Sequence, residues 1–147
     1  MSDITVVTSN SNNLVVNYDQ SQLALGNNEF IEGEYTSTSA IVIAEGTVFG
    51  RISATGKLAI LDKDATDGSK YPVGVLFNGI GGSKSVAATT TVTITLIKSG
   101  SIDGSKLAFA SGTTIASVVA ERQLKDHLNG MGLVFDTPVQ LSAVDNQ

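Results

Sequence analysis

Apolar and polar positions alternate along this chain in short runs, and runs of that kind predict strands. The clearest is Thr89 to Ile97, where Val92, Ile94 and Leu96 alternate with Thr91, Thr93 and Thr95. A period of two sends one set of side chains to a core and the other to water. Lys98-Ser99-Gly100 reads as the end of that strand. Upstream, Ala40 to Ala44, Thr47 to Ile52, Lys57 to Leu61 and Pro72 to Phe77 are further strand candidates, separated by Glu45-Gly46, by Ala54-Thr55-Gly56 and by the polar loop 62–70. Pro72 suits the first residue of a strand, where a missing N–H costs least. Asp67-Gly68-Ser69-Lys70 recurs as Asp103-Gly104-Ser105-Lys106 before the apolar run Leu107 to Ala110. Two similar turns explain the echo, since Asp-Gly is strongly favoured in hairpin loops.

One stretch has a longer period. Ala120, Leu124 and Leu128 fall at i, i+4 spacing, Ser117 stands where a cap would, and Glu121 and Lys125 form a favourable ion pair. This predicts a helix near 115–129, stopped by Asn129-Gly130. Leu133-Val134-Phe135 and Val139-Gln140-Leu141 are then two last short strands around Pro138. The predicted architecture is mainly β: a small barrel-like or sandwich domain with one short C-terminal helix and an extended N-terminal arm.

Residues 1–38 have their own composition, rich in Asn and Ser and interrupted by the apolar knots Ile4-Thr5-Val6-Val7, Leu14-Val15-Val16 and Leu23-Ala24-Leu25. The first two knots are largely β-branched and extended in character. The residues alone leave two readings open: strands of the core, or a segment ordered by adding strands to something else.

Charge sharpens this division. The chain carries fourteen Asp and Glu against nine Lys and Arg, a net charge of −5. Residues 1–50 hold six of the acids (Asp3, Asp19, Glu29, Glu32, Glu34, Glu45) and no Lys or Arg, whereas the remainder is nearly neutral. The overall balance argues against a general affinity for nucleic acid or an anionic membrane. An acidic leader would be steered toward basic patches on a partner. No basic start followed by an apolar stretch marks a secretory signal, and no apolar run is long enough for a bilayer.

Candidate chemistry fails template by template. With no Cys, disulfides, thiolate metal sites and thiol catalysis are excluded. The single His, His127, is flanked by Asp126 on the predicted helix, and adjacent helix positions do not face each other, so a helix-terminal or solvated His is expected. Asp62, Asp64 and Asp67-Gly68 lack the spacing and the final Glu of a calcium loop. Gly81-Gly82-Ser83-Lys84-Ser85 lacks the Gly before Lys of a phosphate loop and precedes a Thr-rich strand. No G-x-S-x-G occurs. No catalytic residue, cofactor site or metal site is assigned. Trp is absent, and Tyr18, Tyr35 and Tyr71 read as half-buried anchors. A structural or assembly role is what remains.

The middle of the chain resembles the head decoration proteins of lambda-type tailed phages. The resemblance runs through Thr47, then Gly56-Lys57-Leu58-Ala59 leading into an acidic loop, Asp67-Gly68, Val73-Gly74-Val75-Leu76, a Thr-rich strand, and Lys98-Ser99-Gly100. It covers residues 38–112 well and 113–135 more loosely. It implies a β-rich virion protein without enzymatic activity. Such a protein is made in the bacterial cytoplasm and forms homotrimers on the outer capsid surface at threefold and quasi-threefold positions. Its partners are the major capsid protein and copies of itself, with no nucleic acid or membrane, and it holds the expanded shell against DNA pressure. Residues 1–38 match the family's arm in position and character, and 39–147 the decoration domain. Ile4, Val6, Val7, Leu14, Val15 and Val16 are the arm positions expected to meet the capsid.

Two other classes compete. A fibre or adhesin module recognising a glycan or host surface would share the Thr and Gly richness, but its usual aromatic platforms are scarce here. An enzyme would need a pair of activating residues that the sequence does not assemble.

Overall fold

The computed structural model describes residues 23–79 and 82–136, together with the backbone of two strands at 4–8 and 14–18. In chain order the strands are β1 (Ile4–Thr8), β2 (Leu14–Tyr18), β3 (Ala24–Thr36), β4 (Ile41–Ile43), β5 (Val48–Arg51), β6 (Leu58–Ile60), β7 (Pro72–Leu76), β8 (Lys84–Val86) and β9 (Thr91–Asp103). A 3-10 turn (Gly104–Lys106), β10 (Val118–Val119), β11 (Arg122–Gln123), helix α1 (Leu124–Gly130) and β12 (Leu133–Asp136) follow.

The main sheet has the order β12-β9-β3-β6-β5-β7, and β7 pairs again with β9 through Val75–Ile97 and Leu76–Leu96. Five strands therefore close into a small barrel, which removes most of the open edges that antiparallel sheets otherwise present. Neighbouring residues on each strand point to opposite sides of the wall, and the core splits accordingly. Tyr35, Phe49, Leu58, Leu76, Ile94 and Leu96, drawn from all five strands, fill the interior, joined by Ile43 of β4 and Val86 of β8. The Tyr35 and Phe49 rings meet edge to face, 5.5 Å apart. The alternate residues Val48, Val75 and Ile97 face outward into a second cluster with Leu61, Leu124, Leu128 and Leu133, beneath α1.

The largest departure from the sequence reading is β3. Ala24–Thr36, counted there with the leader, runs antiparallel along β9 from Ala24–Ile102 to Thr36–Thr91 and meets β6 at Tyr35–Leu58. Leu23, just before it, is fully buried. The segment from 23 to 36 is thus part of the sheet and its core, and a boundary at 38 cuts through the barrel wall. Its inward positions are Ile31, Gly33 and Tyr35, with Phe30, Glu32 and Glu34 exposed between them. Gly33 hides the alternation: a Cβ there would stand 2.6 Å from Leu58 Cδ1, so Leu58 fills the place a side chain would occupy.

Strand β9 is also longer than Thr89 to Ile97. Lys98-Ser99-Gly100 does not end it, because Gly100 takes φ +105°, a conformation that costs Gly least. Gly100 N–H donates to the Gly132 carbonyl (3.0 Å) while Asn28 Nδ2 donates to the Ser101 carbonyl (3.0 Å). The bulge re-aims the strand, which continues to Asp103 beside β12.

The helix is shorter than expected. Residues 118–123 form a tight hairpin, with Ala120 and Glu121 both at positive φ (50° and 66°), and only Leu124–Gly130 is helical. Leu124 and Leu128 are its buried stripe. Ala120 lies in the turn, and the positive φ falls at Gly132 instead of Gly130. Ser117 contributes its carbonyl, which accepts from Leu124 N–H at 2.8 Å. Leu107 to Ala110 is not a strand; it makes a single parallel bridge, Thr47–Ala108. The expected strand at 139–141 lies outside the described residues.

Candidate functional site

The resemblance residues build the scaffold of the barrel, at both ends of β5, along β7 and within β9. Thr47 is buried, and its Oγ1 donates to the Ala44 carbonyl at 2.7 Å while its own carbonyl accepts from Leu76 N–H at 2.8 Å. Gly56 N–H donates to the Ile52 carbonyl, closing the turn after β5, and Arg51 Nη1 donates to the Gly56 carbonyl at 2.7 Å. Lys57 Nζ donates to Thr36 Oγ1 at 3.2 Å, tying this turn to the end of β3, and Leu58 enters the interior core. Val73, Gly74, Val75 and Leu76 form β7, which splits between the two clusters. Lys98 is exposed and stands 3.7 Å from Glu29, the cross-strand partner of Ser99.

The two Asp-Gly-Ser-Lys segments share one local geometry. Asp67 Oδ1 accepts from Ser69 N–H (3.0 Å) and Ser69 Oγ (2.6 Å); Asp103 Oδ1 accepts from Ser105 N–H and Oγ at the same distances. These are Asx turns, in which the carboxylate mimics a backbone carbonyl, rather than two-residue hairpin loops. Ser69's hydroxyl, and then its N–H, hold the Asp67 carboxyl below its ordinary range. Asp103 is buried and caps the 3-10 turn.

The residues weighed for chemistry are occupied structurally. His127 Nε2 donates to the Val119 carbonyl at 2.8 Å and its ring lies edge-on to Tyr71, so it fastens α1 to the hairpin. Asp62 accepts from Asp64 N–H at 2.9 Å, and Asp64 pairs with Lys63 at 2.6 Å. Among the described residues no three His, Asp or Glu stand close enough to hold a metal ion, and no helix is long and apolar enough to cross a membrane. Of the three tyrosines, Tyr35 is buried and Tyr71 is 42% exposed.

Two further surfaces escaped the sequence reading. The acids ascribed to a leader divide: Glu29, Glu32 and Glu34 stand on the exposed side of β3, and Glu45 lies between β4 and β5, with Oε2 accepting from Asn78 N–H at 2.8 Å. Only Asp3 and Asp19 precede residue 23. The glutamates are visible in the sequence, but their strand is not. Beside them Phe30, 48% exposed, packs on Phe77 at 5.2 Å.

The arm positions fall on β1 and β2, which pair antiparallel: Ile4 opposite Tyr18, Val6 opposite Val16, Val7 opposite Val15 and Thr8 opposite Leu14. The first two apolar knots are thus brought together as one two-stranded unit. Their side chains lie outside the described residues.

Against known proteins, no curated protein matches the sequence. The family described as bacteriophage lambda head decoration protein D matches residues 18–128. That span takes in β3, every strand of the closed barrel, the β10–β11 hairpin and most of α1, and it leaves out β1 and β12. With its motif residues serving as barrel scaffold and its match covering well over half its length, the chain belongs to the head decoration protein D family and is a structural protein of the phage capsid.

Proposed function

We propose that the chain forms a homotrimer that binds the outside of the expanded phage capsid at threefold and quasi-threefold positions, and stabilises the shell against the pressure of packaged DNA. The observation that carries this reading is the family match over the whole barrel. Residues 1–22 are the docking arm in this account, and the barrel from residue 23 is the trimerising body.

The physics of the arm supports the reading. A two-stranded β unit is marginal alone in water and gains stability from a third strand or a packed face. The outer edges of β1 and β2 can each continue a sheet through main-chain hydrogen bonds, with alternate side chains giving specificity. One such contact is weak. Three arms on a trimer raise the effective concentration of the second and third, so avidity greatly exceeds the single contact. An acceptor edge that forms only when the shell expands explains why binding waits for expansion.

The test uses purified protein mixed with expanded and unexpanded capsids. Pelleting should recover the protein only with expanded shells, at saturating stoichiometry in multiples of three, and light scattering should give three chains per particle. Equal recovery with both shells, or a monomer in solution, contradicts the reading.

A further inference from the structure

An Asn or Asp followed by Gly is a position where a chain can cyclise on itself, because Gly puts no side chain in the way. The sequence has four such pairs: Asp67-Gly68, Asn78-Gly79, Asp103-Gly104 and Asn129-Gly130. The fold treats them differently. Asp67 and Asp103 each hold Oδ1 in an Asx turn, on the N–H and hydroxyl of Ser69 and Ser105 respectively, and Asp103 is buried as well. An ionised carboxylate is a poor electrophile, and the Ser69 bonds keep the Asp67 carboxyl ionised. Asn129 is exposed but belongs to the last turn of α1, and its carbonyl accepts from Gly132 N–H at 3.0 Å. Helical backbone turns the next N–H back along the axis, so that turn must open before the nitrogen can reach the side chain. Asn78 meets neither obstacle. It is exposed and lies beyond the end of β7, outside any helix or strand, and Gly79 takes φ +81° with open space where a Cβ would stand.

Asn78 also holds two strands together. Ile43 and Lys84 form the pair at one end of the β4–β8 ribbon, which has three residue pairs in all. Just beyond that end, Asn78 N–H donates to Glu45 Oε2 at 2.8 Å and Asn78 Nδ2 donates to the Ser83 carbonyl at 2.9 Å. One residue thus clasps the chain leaving β4 to the chain entering β8. So short a ribbon is marginal without added contacts.

We infer that Asn78-Gly79 is a self-modification site, at which slow deamidation unfastens this end of the β4–β8 ribbon. The Gly79 amide nitrogen attacks Asn78 Cγ and the Cγ–Nδ2 bond breaks. The Gly79 proton passes through solvent to the leaving nitrogen, and ammonia departs from a five-membered succinimide. Water then opens the ring to aspartate or isoaspartate, with no oxidant or reductant taking part. The product carboxylate cannot donate to the Ser83 carbonyl, and it stands near the Glu45 carboxylate, so an acceptor and a like charge replace the clasp. An assembled particle makes no new protein, so the change accumulates with its age. The inference is independent of the trimer and docking reading, since it concerns the covalent chemistry of each chain.

The test keeps the full-length protein for weeks in warm, mildly alkaline buffer and maps its peptides by mass spectrometry, with an isoaspartate-specific methyltransferase as a second detector. Position 78 should be modified about tenfold or more faster than position 129, and in urea the two should react at similar rates. Modification at 78 no faster than at 129 in the folded protein, or the same preference in urea, overturns the inference. Asn78→Asp reads the consequence: the amides of Lys84 to Val86 should exchange about tenfold faster than in the parent chain, while Ile94 and Leu96 in the barrel wall keep their rates. Unchanged exchange in β8, or an equal rise throughout the barrel, overturns the clasp.

Discussion

Residues 4–18 and residues 24–36 lie close together in the chain, and both mix short apolar runs with Asn, although only the second carries acids (Glu29, Glu32 and Glu34). Their fates differ. The first forms two short strands paired with each other; the second is one long strand, held by β9 along its length and by β6 near its end. Local propensity does not predict this outcome, because the segment richer in Val and Ile is the one that stays outside the barrel. What separates them is a distant partner: the Thr-rich strand β9 offers Ile94 and Leu96 in register with Gly33 and Ile31, and β6 offers Leu58 beside Tyr35. A segment becomes core when such a partner exists elsewhere in the same chain. By the proposed reading, the other segment's partner lies on the capsid.

Deletions should break this comparison most sharply. Removing residues 2–20 should leave a cooperative thermal transition at an unchanged temperature. Removing residues 2–36 takes away β3, opens the barrel between β9 and β6, and should abolish the transition altogether. If both deletions behave alike, the division at residue 22 is misplaced.

A smaller effect is expected from single side chains. Tyr35 is buried against Phe49, and Tyr35→Ala should cost about 3–5 kcal/mol in urea unfolding, the range for removing a large buried ring. Val6→Ala, in the segment assigned to docking, should change the same measurement by less than about 0.5 kcal/mol. A large loss for Val6→Ala would place β1 in the body.

The smallest effect concerns charge. Glu32 and Glu34 are exposed on β3 with the neutral Thr95 and Thr93 opposite them, so Glu32→Gln and Glu34→Gln should each shift stability by no more than about 0.5 kcal/mol. Capsid-association rates in these variants and in Asp3→Asn, Asp19→Asn would show which acids steer. A salt-dependent slowing confined to the body pair would assign steering to the barrel wall, where three of the six early acids stand.

The barrel was largely legible because its strands announce themselves. Thr91 to Leu96 alternates cleanly, and Pro72 to Leu76 and Leu58 to Ile60 are apolar runs between turn residues. The failures share a physical origin in residues whose role depends on something remote. Gly33 occupies a core position without a side chain because Leu58 fills it. Gly100 looks like a stop and is a bulge, set by Asn28 and Gly132 across the sheet. Ala120 and Glu121 adopt positive φ without being Gly or Asn, so a helix period running from Ala120 through Leu128 gave no sign of the hairpin. The motif residues were identifiable, but their structural character emerged only from their partners: Lys57 on Thr36, Thr47 on Ala44 and Leu76.

The central claim is that the barrel is complete without its first residues and that those residues bind the capsid. Co-sedimentation of the 2–20 deletion with expanded capsids, side by side with the intact chain, addresses both halves at once. The account predicts a folded deletion protein of unchanged oligomeric state that stays in the supernatant while the intact chain pellets. Undiminished pelleting of the deletion protein would contradict it.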